Sequence, residues 1–151
     1  MAGVTHTLVV ESLEAQRALG RLSHDLLAQL AYEIGGLVEE QTRRRIDSEK
    51  TAPDGTPWAP WSARHAARIA RRNRVSARSL LVGQGHLLEA NQQYPGGQDV
   101  IVGNNLEYGA VHQFGSADGG GIPARPYLGL SIENAAEIEE LVVDRLAELV
   151  R

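Results

Sequence analysis

Gln92-Gln93-Tyr94, then Pro95-Gly96-Gly97, then Asp99-Val100-Ile101-Val102 is the run that decides the fold. Two short extended stretches flank a proline-glycine turn, which predicts a β-hairpin. Upstream, residues 4–10 are rich in β-branched and apolar side chains and read as a further strand. Helical periodicity surrounds these pieces. Leu27, Leu30, Ile34, Val38 and Ile46 recur at spacings of three, four and eight, the pattern of one buried helix face reaching to about Ser48, with Ser23 as an N-cap. Gly35-Gly36 interrupts that helix and marks either a kink or a close approach by another part of the chain. Near the C-terminus Ser131 is placed to cap a helix in which Ile138, Leu141, Val142, Leu146 and Leu149 form one apolar stripe. The expected fold class is therefore α+β. Its small, mainly antiparallel sheet would comprise residues 4–10, the hairpin and residues 126–130, packed by a long N-terminal helix and a C-terminal helix.

The remaining segments refine this picture. Residues 12–19 read as a short helix ended near Gly20. Pro53, Gly55, Pro57 and Pro60 exclude regular helix from their stretch, and Asp54-Gly55 supplies a defined turn that Trp58 anchors by burial. Ser62 caps a short arginine-rich helix, and Glu107 to Phe114 reads as another short helix closed by Gly115. Residues 116–121 have the composition of a mobile loop tip, followed by the proline-stiffened Ile122-Pro123-Ala124-Arg125-Pro126-Tyr127-Leu128. Neither an internal repeat nor a linker divides the chain, so its 151 residues are expected to form one domain, numbered 1–151.

Composition narrows the function. With no cysteine, disulfide frameworks, thiolate zinc sites and thiol nucleophiles are all excluded. No stretch approaches the roughly 20 apolar residues of a membrane span, and the first residues lack the pattern of a secretory signal, so a soluble protein without a membrane partner is expected. The five histidines, His6, His24, His65, His86 and His112, are scattered without metal-ligand spacing. Gly83-Gln84-Gly85 lacks the third glycine of a dinucleotide loop, because Leu88 stands there, and no phosphate loop is present. The expectation is no catalytic residue, no cofactor and no metal site.

Charge is unevenly distributed although the formal net value is only −4. Between Gly55 and Leu88 there is no acid, while Arg64, Arg68, Arg71, Arg72, Arg74 and Arg78 all fall there; from Glu133 onward acids dominate. A basic stretch over residues 64–78 fits an intersubunit or partner interface, a small DNA-binding protein whose arginines bridge phosphates, or a plain solvated surface.

Four short signatures carry a resemblance. They are Pro53-Asp54-Gly55-Thr56-Pro57-Trp58; Gly85-His86-Leu87-Leu88 ahead of Val100-Ile101-Val102-Gly103; Tyr108-Gly109-Ala110-Val111-His112-Gln113-Phe114-Gly115; and Pro123-Ala124-Arg125-Pro126-Tyr127-Leu128-Gly129-Leu130. In this order, across residues 22–146, the chain resembles the Mu-like phage virion morphogenesis family, also called tail-completion proteins, which is related to the head-tail joining proteins of long-tailed phages. Two departures are visible: Gly109 where alanine is expected, which would loosen its helix, and Trp61 where the family has an aliphatic residue.

The resemblance implies a non-enzymatic structural virion protein, assembled in the bacterial host cytoplasm and acting in tail completion at the neck. It also implies a ring of copies of itself, hexameric in similar proteins, with tail-tube or terminator and head-connector proteins as partners; the arginine run, separately, would allow passing contact with phage DNA. The residues expected at a subunit or partner interface are Trp58, Arg64, Arg68, Arg71, Arg72, Tyr108, His112, Phe114, Arg125 and Tyr127. For Tyr108 and Phe114 core packing is an equal alternative, whereas an interface is favoured for Arg125, because arginine is seldom buried unpaired and its stiff segment would let it make a directed carboxylate contact.

Overall fold

The computed structural model describes residues 2–4, 24–71, 80–83, 85–116 and 121–150. Helix α1 (His24–Arg44) is unbroken and passes into a single π turn (Arg45–Glu49), closed where Lys50 takes positive φ and its N–H reaches the Arg45 carbonyl. Gly35-Gly36 causes no break. A Cβ on Gly35 would collide with the side chains of Gln93 and Val100, so the glycine lets the hairpin lie directly on the helix. Of the two readings of this glycine pair, close approach is the one realised.

The sheet has three antiparallel strands in the order β1 (Ala2–Val4), β3 (Asp99–Asn104), β2 (Gln92–Gly96). Gly97, with φ of 80°, turns the hairpin. Strand β2 is an edge, and it tolerates Pro95 for that reason. The outward N–H of Gln93 is taken by Glu39 of α1, so a side chain occupies an edge position that another strand would otherwise pair with. The strand expected over residues 4–10 is seen only as Ala2–Val4; residues 5–10, the expected short helix over 12–19 and the cap Ser23 lie outside the described residues.

Three short helices, α2 (Ala63–Arg71), α3 (His86–Glu89) and α4 (Glu107–Phe114), precede the long C-terminal α5 (Ile132–Val150). Their ends follow elementary capping. Ser62 Oγ accepts from His65 N–H, and Ser131 and Asn134 exchange side-chain to backbone bonds at the start of α5. Helix α5 lies on α1, joined at one end by Arg44 to Glu137 at 2.9 Å and at the other by Arg145 to Glu33 at 2.6 Å. Part of the C-terminal acidity is thus matched within the chain.

The strand expected over residues 126–130 is not one. This segment is extended but pairs with no strand, because its backbone groups are taken by side chains from other elements. It crosses the core cluster of Ile46, Trp58, Leu87, Tyr127 and Leu128.

Candidate functional site

An extended segment buried without strand partners must find a donor or acceptor for each amide elsewhere, since an orphaned buried group costs about 1–3 kcal/mol. Here three side chains, Arg45, Gln113 and Trp58, supply them, and a fourth, Arg125, anchors the segment to a neighbouring loop. Arg45, on the same helical face as Val38 and Gln41, donates to the carbonyls of Tyr127 and Gly129 and to Asn134 Oδ1. Gln113 of α4 accepts the N–H groups of Tyr127 and Leu128, each at 3.0 Å, and donates to the Leu128 carbonyl. Trp58 donates from its indole to the Pro126 carbonyl at 3.0 Å. Finally Arg125 reaches away from the segment to the carbonyls of Ala59 and Pro60, at 2.8 and 3.1 Å, tying it to the proline-rich loop.

That loop is itself fixed. Asp54 accepts from the Thr56 N–H, Gly55 has positive φ, and Thr51 bridges Pro57 across the turn. The hydrogen bond from Thr56 holds the Asp54 carboxyl below its ordinary range.

Three residues expected at an interface are therefore consumed inside the chain. Trp58 and Tyr127 are core residues, and Arg125 is 4% exposed with carbonyls rather than a carboxylate as partners. The expectation of an interface position with a carboxylate contact for Arg125 is corrected, because its guanidinium is buried and its N–H donors are taken by the loop carbonyls of Ala59 and Pro60. Burial lowers the pKa of Arg125 and, likewise, of Arg45. Gly109 is corrected too: a Cβ there would collide with Asn104 Oδ1 and come within 2.9 Å of the Tyr127 hydroxyl, so the glycine makes room rather than loosening the helix.

The other expected residues lie on the outside. Arg64, Arg68 and Arg71 are exposed on α2, with Arg68 against His65 Nδ1 at 3.0 Å, while Arg72 lies outside the described residues. Phe114 is 67% exposed, and Tyr108 is 42% exposed with its ring edge-on to His112 at 5.9 Å. His112 is half-buried; desolvation first, then the nearby Arg125 charge, lowers its pKa. Tyr108, His112, Arg68 and Arg125 share a groove of about 580 Å³ that runs between α2, α4 and residues 121–125.

Sequence reasoning missed Arg45, Gln113, Asn104 and Asn134, all buried polar residues. The available signal is phase: Arg45 stands seven residues after Val38, on the helix face that Leu27, Ile34 and Val38 make apolar. Among the described residues no group of three or more His, Asp or Glu is arranged to hold a metal ion, and no helix is long and apolar enough to cross a membrane.

What this arrangement defines is an α+β fold with a polar-stitched core and, among the described residues, with arginines in no ion pair and large apolar side chains on its surface. The chain belongs to the phage virion morphogenesis family, whose model matches residues 10–147. It is 29% identical over 125 residues to tail completion protein S of Escherichia phage P2, covering 78% of this chain and 83% of that protein. It is 27% identical over 131 residues to Mu-like prophage FluMu G protein 1 of Haemophilus influenzae, covering 81% of each. FluMu G protein 2 of the same organism is 42% identical over 57 residues, 35% of this chain and 41% of that one. No solved structure matches the chain.

Proposed function

We propose that this phage tail protein completes the tail at its head-proximal end, as one subunit of a closed ring, without turning over a substrate. In this reading the ring holds six copies. It sits at the neck of the virion, between tail-tube or terminator proteins on one side and head-connector proteins on the other, after assembly in the host cytoplasm. Family membership supplies the tail role. The observation that carries the rest is a division among the signature residues: Trp58, Gln113, Arg125 and Tyr127 hold one internal scaffold, while Tyr108 and Phe114 stand exposed, as do Ile132 and Val143 on α5. In this reading assembly covers these exposed side chains.

A ring of identical subunits needs a heterologous contact, in which two different faces meet around the circle. The basic α2 and the acidic outer side of α5 are two such faces, and opposed charge would fix their register. Imaging of intact particles with the subunit located is the test. Density for a ring of this chain at the neck is the expected result; its absence from purified virions would refute the proposal.

A further inference from the structure

Helix α2 presents one side to the groove, through His65 and Ile69, and a second side to solvent. At 100° per residue the outer side resolves into two strips. Ala63, Ala67 and Ala70 form a stripe of small side chains, and Arg64, Arg68 and Arg71 run alongside it, Arg68 at the border where it also lines the groove; all six are exposed. None of these arginines belongs to an ion pair among the described residues.

The outer side of α5 has the same layout with opposite charge. Ile132, Ala136, Val143 and Ala147 form an apolar stripe, in which Ile132 is 86% and Val143 62% exposed. Beside it run Glu133, Glu140 and Asp144, exposed and likewise in no ion pair among the described residues. Each helix, viewed from its own N-terminus, carries its charged strip on the same rotational side of its apolar stripe.

That shared handedness selects an orientation. Two helices facing each other in parallel would put the arginines and the acids on opposite sides of the contact, whereas antiparallel helices put them together. We infer that α2 of one copy packs antiparallel on α5 of a second copy, with the alanine stripe of α2 against Ala136 and Val143 and its arginines against Glu140 and Asp144. The spacing agrees with this register. Ala63 and Ala70 are seven residues apart, as are Ala136 and Val143, and Arg64 and Arg68 are four apart, as are Glu140 and Asp144. With Ala63 opposite Val143, Ala70 falls opposite Ala136, Arg64 beside Asp144 and Arg68 beside Glu140. Alanine on α2 lets the axes come close enough for the flanking charges to meet. This inference rests on the ring reading and names the two faces that would close it.

The chain has no cysteine, so introduced thiols report on this contact alone. Full-length Ala63→Cys mixed with full-length Val143→Cys should give an oxidised dimer, and Ala63→Cys mixed with Ala136→Cys should not. Arg64→Glu with Arg68→Glu should weaken self-association at least tenfold, and adding Glu140→Arg with Asp144→Arg in the same chain should restore it. Cross-linking of the second mixture in place of the first would overturn the orientation, and association indifferent to the arginines would overturn the surface. A multimer formed without either effect sinks this contact but leaves the ring standing. A chain monomeric at every concentration overturns the contact, and if the neck also lacks it the ring reading falls as well.

Discussion

The side-chain amide of Asn104, at the end of β3, donates to the hydroxyl of Tyr127 at 2.6 Å, with Gly109 of α4 closed over the pair. Asn104 also donates to Asn91 Oδ1, and it accepts from the Leu106 N–H at the start of α4. One buried amide thus joins the sheet, the turn after α3, the first turn of α4 and the stitched segment. Burial raises the Tyr127 pKa although the bond from Asn104 favours its ionised form.

Gly109→Ala is therefore expected to destabilise the protein even though alanine is the better helix former. The propensity gain is about 1 kcal/mol. Against it stand overpacking, about 1–3 kcal/mol, and loss of the Asn104–Tyr127 bond, about 1 kcal/mol. Chemical denaturation should show a net loss of about 1–3 kcal/mol with an unchanged slope; a higher midpoint would mean that the pair moves aside freely.

Arg125→Lys tests the stitch between residues 122–130 and the proline-rich loop. Lysine keeps the charge but cannot present two fixed N–H groups to the carbonyls of Ala59 and Pro60. A loss of about 2 kcal/mol is expected, since a hydrogen bond from a charged donor contributes about 1.5–3 kcal/mol. Stability equal to the parent would show that one contact suffices.

Much of the architecture was legible because it depends on neighbours in sequence. Glu107–Phe114 with its Gly115 stop, the Ser131 cap, the Asp54-Gly55 turn and the hairpin all follow from local spacing and side-chain chemistry. The polar core was illegible for the opposite reason. Arg45 and Gln113 are separated in sequence from the carbonyls they satisfy, and only the tertiary path of residues 126–130 turns those side chains inward. Reading residues 126–130 as a strand was a natural error, since extended backbone and sheet backbone look alike in sequence. The surface fared better where charge alone mattered: Arg64, Arg68 and Arg71 do stand exposed on α2.

DNA contact makes a separate prediction. If the α2 arginines serve protein rather than phosphate, gel-shift retention at physiological salt should be weak and unchanged in Arg64→Glu with Arg71→Glu. Tight binding that falls steeply with salt, and is lost in that variant, would favour phosphate contacts instead.

His112 supplies the pH dependence. Desolvation and the Arg125 charge lower its folded pKa below the ordinary value of about 6.5, so the folded state prefers the neutral ring. A depressed folded value contributes stability that is complete above the unfolded pKa and is lost as pH falls through the folded value. The thermal midpoint should therefore drop on acidification below about pH 6.5, before carboxylates such as Glu137, itself lowered by bonds from Gln41 and Arg44, begin to protonate. His112→Gln cannot take up the proton, so its midpoint should stay flat between about pH 6.5 and about 5. An identical fall in parent and variant would assign the acid sensitivity to another group and leave His112 as a packing residue against Tyr108.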